Sequence, residues 1–239
     1  MMNDISSEVE TWNELKSTTG ARIDVGRAGT RPLTSNMLRL RLDHAAAIDA
    51  VYSEVPRELI EEMGLLSVNT LASDKVQYLK RPDLGRRFTT TSADAIQASC
   101  LHAPQVQIVV SDGLSAAAIE ANLKEVYSSL LDSLNSLGLE AGTPIYVERG
   151  RVGSMDHIGD ILQPEVLVLL IGERPGLLSA SSMSAYMCYK PCIGKLDSDR
   201  NVISNIHESG TPPAEAGARI ASMLKAMLDQ RRSGTELVF

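Results

Sequence analysis

Aromatic side chains are scarce, at 4% of the chain, so any core has to be built from aliphatic residues. A basic excess is also lacking. With 30 acidic against 23 basic side chains the net charge is -7, which argues against a nucleic-acid phosphate backbone as the main partner, although local basic patches are compatible with it. Long apolar runs are absent: the longest, Val166 to Ile171, is cut off by Gly172 and Glu173, well short of the roughly 18 residues that cross a bilayer. The N-terminal MMNDISSEVETWNELK is acidic and carries neither the basic n-region nor the apolar h-region of a secretory signal, so a soluble, cytoplasmic protein is expected. Cysteines number three, Cys100, Cys188 and Cys192, and cannot all pair within the chain. None stands in a Cys-x-x-Cys spacing, so reduced thiols are expected rather than a zinc or dithiol site.

What is present is ordinary globular composition, 44% hydrophobic and 22% charged over 239 residues, enough for one large domain or two small ones. Ile5, Val9, Trp12 and Leu15 recur at helical spacing, so residues 1–20 read as an N-terminal amphipathic helix ending near Gly20. Residues 21–103 read as an arm and a small helical domain. Its arm, Val25 to Pro32, holds two glycines and a proline; helices are expected from Ser35 to before Pro56, over Arg57 to Met63, near Asp74 to Leu79 and from Ser92 to His102.

After Pro104 the pattern changes. Val106, Ile108, Val109 and Val110 form a β-branched run suited to a strand buried on both faces. Ile119, Leu123, Val126, Leu130, Leu134 and Leu137 then share one helical stripe closed by Gly138. Ile145 to Val147, Val166 to Ile171 and Ser184 to Tyr189 are further strands, Met155 to Leu162 is a short helix, and Thr211 caps a last helix opening on Pro212 and Pro213. Residues 104–239 are therefore expected to form a Rossmann-like α/β domain, a mainly parallel sheet with helices on both faces.

Ligands of such sheets bind at the carboxyl ends of the strands, which here lead into Ser111-Asp-Gly-Leu-Ser115, Arg149-Gly-Arg-Val-Gly-Ser154 and Gly172-Glu-Arg-Pro-Gly-Leu177. All three contain glycine, which suits either a tight turn or close approach to a large ligand. Neither Gly-x-Gly-x-x-Gly after the first strand nor Gly-x-x-x-x-Gly-Lys-Ser/Thr occurs, so the usual dinucleotide and nucleoside-triphosphate cradles are missing. His44, His102, His157 and His207 are scattered and none pairs with a second histidine at ligand spacing, so no metal site is expected. Gly113-Leu-Ser115-Ala-Ala117 weakly resembles a nucleophile elbow, and Asp199 and His207 follow in hydrolase order. A serine hydrolase using Ser115 is the alternative reading, weakened by Ala117 in place of the second glycine.

The segments VGRAGTRPLT (25–34), YLKRPDLGRR (78–87), VQIVVSDGLSA (106–116), GRVGSMDHIGDIL (150–162), LIGERPGL (170–177) and ISNIHESGTPPAEAG (203–217) closely resemble the small subunit of ethanolamine ammonia-lyase, in order from about Arg22 to Met227. The resemblance implies a subunit of an adenosylcobalamin-dependent radical lyase that converts ethanolamine to acetaldehyde and ammonia. It implies a large subunit, a (β/α)8 barrel holding substrate and catalytic residues, with this chain covering the cobalamin at the interface and no catalytic residue of its own. By match to the family's motifs, Val152, Glu173 and Val202 fall at cobalamin-contacting positions; Val202 stands where the family frequently has Cys, which removes a thiol but not a backbone contact. Asp156 and His157 are adjacent, unlike the Asp-x-His-x-x-Gly of proteins that give cobalt a histidine, so His157 is expected to be structural. Arg27, Arg31, Arg81, Arg86 and Arg87 either anchor the large subunit or form a solvated face. A higher hetero-oligomer is implied as well, and the N-terminal helix either directs the chain to a bacterial microcompartment or aids solubility.

Overall fold

The computed structural model describes residues 11–19, 21–23, 25–177 and 179–239. Ile5, Val9 and Gly20 lie outside them; Trp12 and Leu15 fall in a helical stretch over residues 11–17. The arm forms a small antiparallel hairpin, β1 (Arg27–Ala28) with β2 (Arg31–Pro32). The left-handed Gly29, at φ +63°, turns it. Helix α1 (Thr34–Tyr52) follows, with α2 (Arg57–Glu62), β3 (Leu66–Asn69), α3 (Lys75–Lys80) and α4 (Thr90–Ser99). The remaining chain contributes β4 (Val106–Ser111), α5 (Ala116–Ser136), β5 (Ile145–Glu148), α6 (Ser154–Leu162), β6 (Val166–Gly172), β7 (Met183–Tyr189), β8 (Asn201–Ile206) and α7 (Pro213–Gln230).

The six long strands form one sheet in the order β3-β5-β4-β6-β7-β8, parallel from β3 to β6 and antiparallel from β6 to β8. An α/β sheet covered by helices is thus present, as the alternation of strands and helices predicts. Three details differ from the sequence expectation. Leu66–Asn69 has one buried residue, Val68, too little pattern to read as a strand, yet it pairs in parallel with β5 and carries the sheet into the segment before residue 103. β7 returns antiparallel, and among the described residues between it and β6 there is no helix to make a crossover. β8 was not expected at all.

Helices α5 and α7 cover one face, where Leu123, Leu130, Ile220 and Leu224 join Ile108, Val110, Val168 and Leu170. Helices α4 and α6 cover part of the other, where Ile96, Met155 and Ile158 meet Val109, Leu167, Leu169 and Ile171. Side-chain caps start three of the helices: Asp74, Thr89 and Ser115 each accept a backbone N–H of the first turn, the second placing its helix at Thr90–Ser99 rather than from Ser92 to His102. The last helix begins at Pro213, so Pro212 rather than Thr211 is its cap residue. Helix α1 buries only Ala50 and leaves Leu38, Leu42, Ile48 and Tyr52 exposed. Among the described residues no helix is long and apolar enough to cross a membrane.

Candidate functional site

The carboxyl ends of β4, β5 and β6 come together at one edge of the sheet. Gly113 and Gly172 are what lets the β4 and β6 ends close up, since a Cβ on Gly113 would stand 2.5 Å from the Gly172 carbonyl and one on Gly172 would stand 2.1 Å from that of Ser115. These glycines pack loop against loop, so part of the glycine signal belongs to the fold rather than to a ligand. Between β4 and β5 the crevice is filled by the protein itself: Asp112 accepts the Arg149 N–H at 2.6 Å and pairs with Lys75 at 3.2 Å, and Ser111 Oγ accepts the Gly150 N–H at 3.0 Å. Burial pushes the Asp112 carboxyl up, against the pull of Lys75.

An open cleft remains between the β5 and β6 ends and the start of β7, with a volume of about 290 Å3. Val152, Leu114, Ile171 and Tyr186 give it apolar walls, and Glu173, Arg151, Ser184 and Ser204 give it polar ones. Val152 and Glu173, on different loops, thus line the same cleft. Tyr78 of α3 holds the Val152 loop: its hydroxyl donates to the Gly150 carbonyl at 2.8 Å and its ring lies 4.1 Å from the Arg151 guanidinium carbon. Arg151 Nη2 donates to the Tyr78 carbonyl at 3.1 Å, while its buried Nε has no hydrogen-bond partner among the described residues. Burial pushes the Tyr78 phenol up.

Glu173 is half-buried and well anchored. Its Oε1 accepts from Ser184 Oγ at 2.5 Å and from the Asn205 N–H at 2.8 Å, so the carboxylate ties the β6 end to β7 and to β8. Among the described residues it makes no ion pair with Arg174, and its Oε2 accepts no hydrogen bond. A second cavity of about 590 Å3, reaching Arg22 and Leu177 of the arm side, lies against Glu173 as well. Val202 does not line the cleft. It sits on the open face of β8, 48% exposed, in register with Tyr186 of β7, which does. Val202 is therefore on the platform beside the cleft rather than in it.

The hydrolase arrangement is overturned. Ser115 is fully buried as the cap of α5, donating to the Ala180 carbonyl at 2.7 Å and accepting the Ala118 N–H at 3.1 Å. Asp199 accepts the Leu196 N–H and His207 Nε2 bonds Asn205 Oδ1, both at 2.8 Å, so neither reaches Ser115. His157 is structural as expected: its Nδ1 accepts the Phe88 N–H at 3.1 Å and its ring stacks on Phe88. Of the arginines, Arg81 pairs with Asp83 on the surface, Arg86 packs against Gly153 beside the cleft, and Arg27 and Arg31 are exposed on the hairpin. Tyr78, Arg151, Ser184 and Tyr186 were not singled out in the sequence, since nothing local in it says that α3 reaches the β5 end or that β7 turns back beside β6.

The family model for the ethanolamine ammonia-lyase light chain matches residues 9–238. The chain belongs to that family. It is 48% identical over 228 residues to the ethanolamine ammonia-lyase small subunit of Clostridium acetobutylicum, covering 95% of this chain and 94% of that one. The small subunits of Clostridioides difficile and Listeria monocytogenes are also 48% identical, over 96% and 95% of this chain and 78% of each relative. Membership makes the chain the small subunit of an ammonia-lyase, and the subunit's name implies a large partner.

Proposed function

We propose that this chain covers adenosylcobalamin at the interface with a large catalytic subunit of an ethanolamine ammonia-lyase, with Val152, Glu173 and Val202 as its cofactor-contacting positions. The single observation that carries the reading is the meeting of Val152 and Glu173, from separate loops, in one cleft at the strand ends, with Val202 on the bare sheet face alongside. The cleft, at about 290 Å3, stands at the small end of the roughly 300–1,000 Å3 typical of small-molecule sites, so it suits one edge of a broad ligand rather than a whole one. Its chemistry suits a corrin, which has an apolar ring and an amide rim: Val152, Leu114 and Tyr186 offer apolar contact, Glu173 Oε2 an acceptor for an amide N–H, and the unpartnered Arg151 Nε marks a donor short of an acceptor.

When bound, the cofactor supplies a cleavable cobalt–carbon bond and the radical chemistry that follows from it. This chain's residues position it and exclude water from one side. Residues 104–239 bear the cofactor-contacting positions, and Tyr78, from the helical segment 21–103, braces them. The exposed arm and the bare leucines of α1 are surfaces for the large subunit, whose (β/α)8 barrel holds ethanolamine and the catalytic groups within a larger hetero-oligomer. Cytoplasmic or microcompartment location follows from that assembly, not from this chain.

Co-expression with the matching large subunit, followed by assay with adenosylcobalamin and ethanolamine, tests the reading. Turnover is expected from the complex and none from this chain alone; turnover by the isolated chain would overturn the division of labour.

A further inference from the structure

Between the cleft and the bare face of β8 lies a buried ion pair that neither the hydrophobic core nor the cofactor-contacting positions account for. Arg200, immediately before β8, places Nη2 2.6 Å from Asp156 Oδ2 in the first turn of α6, and Nη1 2.6 Å from Asp197 Oδ1. The Arg200 and Asp156 side chains are only 6% and 12% exposed. The pair is incompletely satisfied, because Asp156 Oδ1 and Arg200 Nε are both buried without a partner among the described residues. Burying two charges while leaving lone pairs and protons unmet is a poor route to stability, and apolar replacement of such pairs is often neutral or stabilising. Its use is better sought in what it fixes.

Asp156 lies four residues after Val152, and Arg200 two residues before Val202. The segment between β7 and β8 is fastened to α6 at two further points: the Ile193 N–H donates to Asp160 Oδ1 at 3.2 Å, and the Pro191 carbonyl packs so closely on Gly159 that a Cβ there would lie 2.0 Å from it. From the other side Ser233 Oγ donates to the Asp199 carbonyl at 2.6 Å. The Arg200–Asp156 contact is the charged member of this fastening, and its two ends carry the two segments that a ligand would have to span together.

We infer that Arg200 and Asp156 are positioning residues: their ion pair holds the β8 platform bearing Val202 at a fixed spacing from the loop bearing Val152, so that both meet one rigid ligand. The inference rests on the cobalamin reading of the cleft. A charged, directional hydrogen bond suits this role better than apolar packing, because apolar side chains slide at little cost whereas a guanidinium held by both Asp156 and Asp197 is fixed in angle and distance.

The test uses the complex assembled with the large subunit and measures the dissociation constant of adenosylcobalamin in the dark, with melting temperature as the folding control. Asp156→Asn leaves Arg200 only the exposed Asp197 as an ion-pair partner and Arg200→Met leaves Asp156 buried and unpaired, so either can unfold the chain and the decisive variant is the double change Asp156→Leu with Arg200→Met. It should melt close to the parent yet bind adenosylcobalamin roughly tenfold more weakly, the scale of effects of groups that orient a ligand's direct contacts. Arg200→Lys, which keeps the charge but not the fork, should fall between. The apparent KM for ethanolamine should stay unchanged. A double variant that melts like the parent and binds cofactor with the parent's affinity would overturn the inference. Val152→Arg separates this failure from that of the cobalamin reading: if a charged side chain in the cleft leaves cofactor affinity intact, the cleft itself is misassigned, whereas loss with Val152→Arg and none with the double variant removes the positioning role alone.

Discussion

The centre of the sheet and its β8 edge treat water differently. Every residue of β6 is buried, since α5 and α7 lie on one side of it and α6 on the other, whereas β8 buries only Ile203 and Ile206 and leaves Val202, Ser204 and Asn205 exposed. Strands β4 and β6 form a finished three-layer core. The β8 edge has one layer missing, and the cleft lined by Val152 and Glu173 opens between the two. Val202, left 48% exposed beside a cleft of mixed polarity, is where the proposed cofactor contact would cover the strand.

The largest expected effect tests the contrast itself. Leu169→Ala, in the fully buried β6, should cost about 2–5 kcal/mol of stability, while Val202→Ala on the bare face of β8 should cost under about 1 kcal/mol. Urea unfolding of both variants measures this, and equal losses would erase the distinction between centre and edge. Function should rank the two the other way, with cofactor affinity in the complex responding to Val202 more than stability does.

Next in size is Glu173. Because Oε1 already serves Ser184 and Asn205, Glu173→Gln keeps the size of the side chain but exchanges a charged acceptor for a neutral amide, and should weaken adenosylcobalamin binding by about 1–3 kcal/mol. Titration of the assembled complex, with melting as the control, checks it. Unchanged affinity in both Glu173→Gln and Glu173→Ala would leave only the loop's backbone as a contact.

The smallest effect is a pH response confined to the braced side of the cleft. Burial, with the Arg87 charge nearby, pushes the His157 imidazole down, and its Nδ1 accepts the Phe88 N–H. The folded state thus binds this proton less readily than the unfolded chain, so the contribution is complete above the ordinary histidine value and is lost as pH falls through and below it. The melting temperature of the parent should fall more steeply between about pH 7 and 5 than that of His157→Phe, which keeps the stack on Phe88 but cannot titrate. Parallel curves would remove His157 from the pH response.

How legible each region was follows from the same contrast. Strands β4 and β6, and helix α5 with its stripe from Ile119 to Leu134, stand out in the sequence because both faces of a buried strand and one face of a packed helix must be apolar. β8 gives no strand signal because Ser204 and Asn205, exposed to water, are polar and Asn201 is spent on hydrogen bonds to Gly234. β3 was hidden by its length and by its single buried residue. Val152 and Glu173 are singled out only through motif resemblance: a half-buried valine and a loop carboxylate have many ordinary explanations. Tyr78 and Arg200 act across long stretches of chain, on the Gly150 carbonyl and on Asp156, and no local spacing announces such contacts.

The central claim is that the cleft and the bare β8 face together receive the cofactor. Hydrogen–deuterium exchange of the complex with the large subunit, with and without adenosylcobalamin, tests it most directly. Slower exchange on cofactor addition is predicted in residues 150–154, 171–174 and 201–205 of this chain. No change in those three segments, with slowing confined to α1 or to the α5 and α7 face, would contradict the account.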